Sequence, residues 1–296
     1  NIASATSSTY TLVQADATFA ITCAVTATNL AGSAEATSNA LTIIDADAQA
    51  FFTASGLTGA TNQSAINQLV VDLKSYGIWT KMKAIYPFVG GTAALHKWNL
   101  KDPQDTNAAF RLTFSGGWTH SSTGALPGGV NGYANTFLNP SSTFSVNDNI
   151  HFSYYSRTNV NATDCEIGVQ VTNYLVLSIK RNDVASQTFY GLNTTGTFST
   201  FVDSNSAAFY IGSRIGTAQK GFRNSTLAAN ITNTAGARPN GNVFLATLNV
   251  NGNPDSGLYS AKECAFASLG DGLTDTEAAN FYTAVQAYNT TLSRQV

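Results

Sequence analysis

From "MKAIYPFVGG" to about residue 268 the sequence is built of short apolar-rich runs, each cut off by Gly, Asn, Ser or Thr. The clearest are "AAFRLTF", "NIHFSYYSR", "EIGVQV", "YLVLSIK", "QTFYGL", "AAFYIGS" and "VFLATLNV". Runs of this length with turn residues between them predict strands. The polar positions support this. Only 11% of the residues are charged, against roughly 25% in an ordinary soluble protein. Ser, Thr, Asn and Gly fill the exposed positions, and these suit strand faces and turns, where Lys, Glu and Arg suit helix faces. About ten such strands with a few helices outside them describe one mainly β sandwich of roughly 250 residues.

Helices are expected at three places. "DADAQAFFTASG" carries Asp45 and Asp47 at an N-terminus and stops at Gly56. "TNQSAINQLVVDLKSYGIW" places Ile66, Leu69, Val70, Leu73 and Tyr76 three and four apart, with Gly77 as a stop and Trp79 as packing. Near the end, Thr274 and Glu277 form a capping box ahead of an Ala278, Phe281, Tyr282, Val285, Tyr288 stripe. This last helix is expected to close the sandwich.

Residues 1–44 read differently. "STYTLVQAD", "TFAITCAVTATNLAG" and "SNALTII" alternate with period two, placing Phe19, Ile21, Cys23, Val25 and Ala27 on one face. Asp16, the Cys23–Asn29 strand and the Gly32 turn resemble the last three strands of an immunoglobulin-like domain. Ile21 stands where that fold usually has a tyrosine two residues before the cysteine. Some 40 residues cannot close a sandwich, so upstream residues, a partner or the rest of the chain must complete this piece. The chain does not start with Met, and it reads as a processed form or part of something longer.

Residues 45–296 resemble a domain common in structural proteins of bacteriophages. The likeness rests on "DADAQAFFTASGLT", "AINQLVVDLKSYGIWTKMKAIYPFVGGTAALHKWNLKDP", "FSGGWTHSSTGALPGGVNGYANTFLNP" and "FASLGDGLTDTEAANFYTAVQAYNTTLSRQV". It implies a concanavalin A-like (laminin-G-like) jelly-roll sandwich with a few peripheral helices, preceded by the immunoglobulin-like strands. It further implies a non-catalytic structural or adhesive part of a virion surface (tail, fibre or head decoration). The partners it implies are other virion proteins, copies of the chain itself and host or environmental glycans. A polysaccharide-degrading enzyme on the same fold and a bacterial surface adhesin are the alternatives.

Charge and hydropathy exclude other classes. The net charge is −2 with no basic block, so the Lys/Arg footprint of a nucleic-acid partner is missing. No apolar run approaches the roughly 20 residues of a membrane span. Cys23, Cys165 and Cys264 are widely spaced and odd in number. They fit no disulfide framework or metal-ligand pattern and are expected as buried free thiols. Sequons such as that at Asn161 follow from the Asn and Thr content.

Few motifs could carry chemistry. Asp164 and Glu166 would share a strand face at glycosidase spacing, but Ala162 and Gly168 stand where a third carboxylate belongs. His96, His120 and His151 are far apart, each without a partner at a recognised spacing, and read as structural hydrogen-bonders. Asn251, Asn253 and Asp255 alternate like calcium-loop ligands, although Gly257 comes one position late and Lys262 falls where the bidentate Glu belongs. A tight hairpin explains the same residues, and no cofactor other than this calcium is expected. Trp98, Trp118 and Tyr133, with Tyr190, are the candidates for stacking on a sugar ring.

Overall fold

The computed structural model describes residues 9–11, 13, 16, 20–38 and 41–296. Two antiparallel sheets make a jelly-roll-type sandwich. The eight-stranded sheet runs Thr226–Thr232, Ala218–Arg223, Ala208–Ile215, Asn149–Ser156, Cys264–Gly270. Beyond this, Met82–Tyr86 and Gly124–Pro127 both pair with Cys264–Gly270, and Trp118–Ser121 forms the edge. The nine-stranded sheet runs Ser199–Val202, Gln187–Thr194, Tyr174–Arg181, Ile167–Gln170, Phe244–Leu245, Tyr133–Asn135, Thr113–Ser115. Leu248–Val250 adds to it parallel to Ile167–Gln170, followed by Asn253–Pro254.

Period-two alternation sorts the side chains. Ile150, Phe152, Tyr154, Tyr210 and Leu269 from one sheet meet Ile167, Val169, Leu175, Leu177, Ile179, Tyr190 and Leu192 from the other. The opposite face of the eight-stranded sheet is equally apolar, with Tyr155, Phe209, Ile211, Phe222 and Phe266. Three helices cover it. Ala46–Ser55 starts at Asp45, whose side chain accepts from Asp47 N–H, and ends at Gly56 with φ 71°. Ala60–Ser75 buries Ile66, Leu69, Val70 and Leu73, while Tyr76 past its end is exposed. Asp275–Thr291 starts with both halves of the expected capping box. The architecture is therefore three layers, helices on sheet on sheet. The last helix, expected to close the sandwich, does so from outside, sealing the outer face of the eight-stranded sheet. Trp79 packs in this helix-side core.

Two expected strands are shortened by single residues of positive φ. In "AAFRLTF", Asn107–Ala109 is a 3-10 turn ended by Phe110 at φ 60°, leaving Thr113–Ser115 as strand. "VFLATLNV" splits at Ala246, φ 66°, into Phe244–Leu245 and Leu248–Val250.

Of the expected strand over residues 8–16, residues 8, 12, 14 and 15 lie outside the described residues, as does Phe19. The described ones are not in a strand, and Tyr10 Oη and Val13 N–H donate to Asp16 Oδ2 in a local turn. Ala24–Asn29 and Gly32–Thr37 form a hairpin around the predicted turn, where Asn29 Oδ1 accepts from Ala31 N–H. Ala20–Ile21 pairs with Leu41–Thr42. The hairpin is exposed on both faces. Cys23 is exposed with it, contrary to the expectation of burial, whereas Cys165 and Cys264 are buried. Burial pushes both buried thiols up. A thiol reagent should therefore modify one cysteine in the native protein and three after denaturation; two or more native equivalents would contradict this packing.

Candidate functional site: a cleft on the uncovered sheet face

With helices over the eight-stranded sheet, the outer face of the nine-stranded sheet is where side chains point away from both cores. On Tyr174–Arg181, Leu175, Leu177 and Ile179 turn inward to the inter-sheet core, so Tyr174, Val176 and Ser178 turn outward. On Gln187–Thr194 the same alternation sends Tyr190 and Leu192 in and Phe189 and Gly191 out. Two glycines lower the floor. A Cβ at Gly191 would lie 2.8 Å from the Phe198 ring and 2.9 Å from Val176 Cγ1, so the absence of a side chain lets Phe198 fold back over the sheet. A Cβ at Gly168 would lie 2.6 Å from Leu248 Cδ1, and its absence admits the apolar wall.

The result is a cleft of about 290 Å3 lined by Gln170, Tyr174, Val176, Ser178, Arg181, Phe189, Phe198, Leu248, Asp255 and Leu258. Tyr174 and Phe189 each meet Phe198 edge to face, at 5.5 and 6.0 Å between ring centroids. Gln170 Nε2 donates to Tyr174 Oη at 2.8 Å. The Arg181 guanidinium lies 5.6 Å over the Phe189 ring and is held by both oxygens of Asp183, at 3.0 and 2.5 Å. Partly exposed rings beside an amide, a carboxylate and a guanidinium can stack on the apolar face of a ring-shaped ligand and bond its hydroxyls. A second opening of about 470 Å3 at the end of the sandwich is lined by residues including Asn147, Asp148, Thr217 and Arg238, with no aromatic ring in its lining.

The sugar-stacking residues named from sequence lie elsewhere. Trp98 is buried in the helix-side core. Trp118 Nε1 donates to Ser115 O and Tyr133 O, while its ring packs on Phe114 and His120. The Tyr133 ring lies 4.9 Å from that of Phe244, and Tyr190 is fully buried with its hydroxyl on Phe222 O. Trp98 and Tyr190 are spent on packing, whereas Trp118 and Tyr133 are half-buried and lie outside the cleft. Asn251 and Gly252, φ 51° and 94°, form the two-residue turn between Leu248–Val250 and Asn253–Pro254. Asp255 Oδ1 accepts from Gly257 N–H. This is the hairpin alternative for the calcium-like segment, and of its three oxygen-bearing residues Asp255 lines the cleft. Among the described residues no group of three or more His, Cys, Asp or Glu could hold a metal ion.

Asp164 and Glu166 do converge, but away from solvent. Both are fully buried, and so is Lys262, whose Nζ lies 2.6 Å from each Asp164 oxygen and 3.1 Å from Glu166 Oε1. Glu166 Oε2 accepts from Ile179 N–H at 2.7 Å and Oε1 from Ser260 Oγ at 3.1 Å. Burial, followed by the Glu166 charge, pushes the Asp164 carboxyl up to about 8. Sequence reasoning missed Lys262 as their partner because 98 positions separate it from Asp164.

Two of the histidines also meet, contrary to the reading from spacing. Gly91 N–H donates to His96 Nε2, so the neutral His96 ring carries its proton on Nδ1 and offers it to His120 Nδ1 at 2.9 Å. Burial first, then His120 and Arg294, lowers His96 to about 3. Fully buried His151, set between Asp271 O and Ser268 Oγ, is lowered to about 4 by burial. A histidine with a depressed folded pKa binds its proton more readily unfolded, near 6.5, than folded. Stability from it is complete above about pH 6.5 and is lost as pH falls towards the folded value, by up to about 1.4 kcal/mol per pH unit per group. The urea midpoint of the wild type should therefore fall more steeply from pH 7 to pH 4.5 than that of His96→Gln. Parallel profiles would contradict this.

No protein-family model matches the chain, and no curated protein sequence does. Solved structures match in fold. A mutant of Trypanosoma rangeli sialidase displaying trans-sialidase activity is 10% identical, with 75% of this chain and 39% of that one covered at a TM-score of 0.50. Domain 4 of AbnA, a GH43 extracellular arabinanase from Geobacillus stearothermophilus, solved with arabinotriose, is 14% identical at a TM-score of 0.46, covering 68% of this chain and 98% of that one. The CBM40 of Ruminococcus gnavus IT-sialidase is 17% identical at 0.32, with coverage of 45% and 80%. At 10% identity the likeness to the sialidase is one of fold alone. Among the described residues no helix is long and apolar enough to cross a membrane.

Proposed function

We propose that this chain is a non-catalytic, glycan-contacting module displayed on the surface of a bacteriophage-like particle. The observation that carries the reading is the aromatic cleft on the sheet face that the helices leave uncovered, with Tyr174, Phe189 and Phe198 beside Gln170, Arg181 and Asp255. Its volume suits one or two sugar rings. The glycosidase-like carboxylate pair supports the non-catalytic part, since Asp164 and Glu166 are buried against Lys262 and present no oxygen to solvent. The phage placement is supported by the four sequence stretches that resemble phage structural proteins. A shallow site of this kind binds in roughly the millimolar range, about −4 kcal/mol. Copies arrayed on one particle, alongside other virion proteins, would raise the avidity by around 10²–10⁴. The test is a glycan-array screen of the purified protein, with its oligomeric state read by light scattering and reducing-end release measured on the same glycans. Multimeric protein that binds but releases no sugar is expected; a monomer that binds nothing, or one that cleaves, would overturn the proposal.

A further inference from the structure

We propose that Lys262 and Asp164 condense into an intramolecular isopeptide bond, with Glu166 as the proton relay. The three side chains have the parts this reaction needs. The Lys262 nitrogen lies 2.6 Å from both oxygens of one carboxyl group, which places it beside Asp164 Cγ. Glu166 Oε1 lies 3.1 Å from the same nitrogen, and Glu166 is itself fixed by Ser260 Oγ and Ile179 N–H. Lys262 is tethered at its backbone as well, its carbonyl accepting from Tyr154 Oη at 2.8 Å and its N–H donating to Ser260 Oγ at 3.1 Å. Amine and acid held so close react as though at an effective concentration that reaches about 10⁵–10⁸ M in well-oriented pairs.

Burial supplies the driving force. All three groups are fully buried, and holding an ion pair in a low-dielectric interior carries a desolvation cost. With Asp164 as the acid, forming the amide and leaving a proton on Glu166 removes the charges of Lys262 and Glu166 from that interior, and Glu166 keeps its Ile179 and Ser260 contacts. Burial and the Glu166 charge raise the Asp164 carboxyl to about 8, which favours the acid form whose oxygen can leave as water. Away from solvent, little water is at hand for the reverse hydrolysis.

The step balances. Glu166 takes a proton from the Lys262 ammonium, and the free amine adds to Asp164 Cγ after rotation about the Asp164 Cβ–Cγ bond turns the carboxyl face towards it. The Nζ–Cγ bond forms and one Cγ–Oδ bond breaks. The departing Asp164 hydroxyl leaves as one water with an ammonium proton relayed by Glu166, the amide nitrogen keeps a second, and the third ends on Glu166. Nothing is oxidised or reduced, and each molecule reacts once, so the proposal is compatible with a module that turns over no substrate.

The bond would join segments 98 positions apart. They also meet at a parallel bridge between Cys165 and Tyr259, at the Cys165 N–H to Leu258 O bond and at the Ser260 Oγ to Glu166 Oε1 bond. Such a link resists reducing agents, unlike a disulfide.

Intact-mass spectrometry of the purified full chain tests this without any variant. The expected mass is that of the sequence less one water, and proteolysis should yield a branched peptide joining Asp164 to Lys262. Lys262→Arg and Glu166→Gln should each return the full sequence mass. Wild-type protein at full mass, or a water loss that maps to other residues, would overturn the bond. A Glu166→Gln protein that still loses the water would overturn the role given to Glu166.

Discussion

Replacing Phe281 by alanine is expected to lower the stability by about 3–5 kcal/mol, the usual cost of truncating a buried Phe. Phe281 is fully buried in the seam between the last helix and the eight-stranded sheet. Its ring meets Phe209 at 5.3 Å, Phe266 at 5.8 Å and His151 at 6.0 Å, all edge to face. Neighbours from three different strands cannot all move to fill the space, so most of the cavity would remain. Thr283, two positions on, is exposed and returns its hydroxyl to Ala279 O; Thr283→Ala should cost little. Urea unfolding of both variants measures the difference. Equal losses would mean that the helix is not seated on the sheet through this stripe.

A loss of similar size is expected for Arg294→Met, two residues from the end of the sequence. Arg294 is fully buried. Its guanidinium donates to Pro87 O, Phe88 O, Ala265 O and Asn289 Oδ1 at 2.7 to 2.9 Å, and none of these acceptors is a carboxylate. The charge is dispersed over carbonyl dipoles, of which Pro87 O also accepts from Tyr288 Oη at 2.9 Å. Each buried acceptor left without a donor costs about 1–3 kcal/mol, so losing the fork should cost several kcal/mol even though methionine fills much of the volume. Arg294→Lys should recover only part, because an ammonium cannot span the planar arrangement. An unfolding midpoint for Arg294→Met within error of the wild type would contradict this role.

These two residues mark how far the sequence could be read. The last helix was legible because its signals are local: the Thr274–Glu277 box and the Phe281–Val285 stripe lie within one stretch of chain. The strand runs were legible for the same reason, and so was the sandwich they build. Which layer each face would touch was not. Asn149–Ser156 is buried on both faces because helices cover one of them, a fact set by packing and not by alternation. The cleft was missed for that reason. Period two does place Tyr174 opposite Leu175, but only the position of the helices decides which sheet face stays open. Trp98 and Trp118 drew notice by type; Trp98 is buried, and Trp118 is half-buried outside the cleft. Arg294, Lys262 and the His96–His120 pair were hidden because each finds partners far along the chain, where spacing carries no information. Phe110 and Ala246 broke expected strands through positive φ, which neither residue type signals.

The most direct test of the glycan-contact reading is a titration of the best array glycan against the wild type and against Tyr174→Ala, Phe189→Ala and Trp118→Ala, followed by chemical-shift changes in the protein. Each cleft ring should contribute about 0.5–1.5 kcal/mol of stacking, a loss of roughly 2- to 10-fold in affinity per substitution, with shifts centred on Gln170, Val176 and Arg181. Trp118→Ala, if folded, should bind as the wild type does. Wild-type affinity in both cleft variants, or shifts that gather around Trp118 and Tyr133, would contradict the placement of the site.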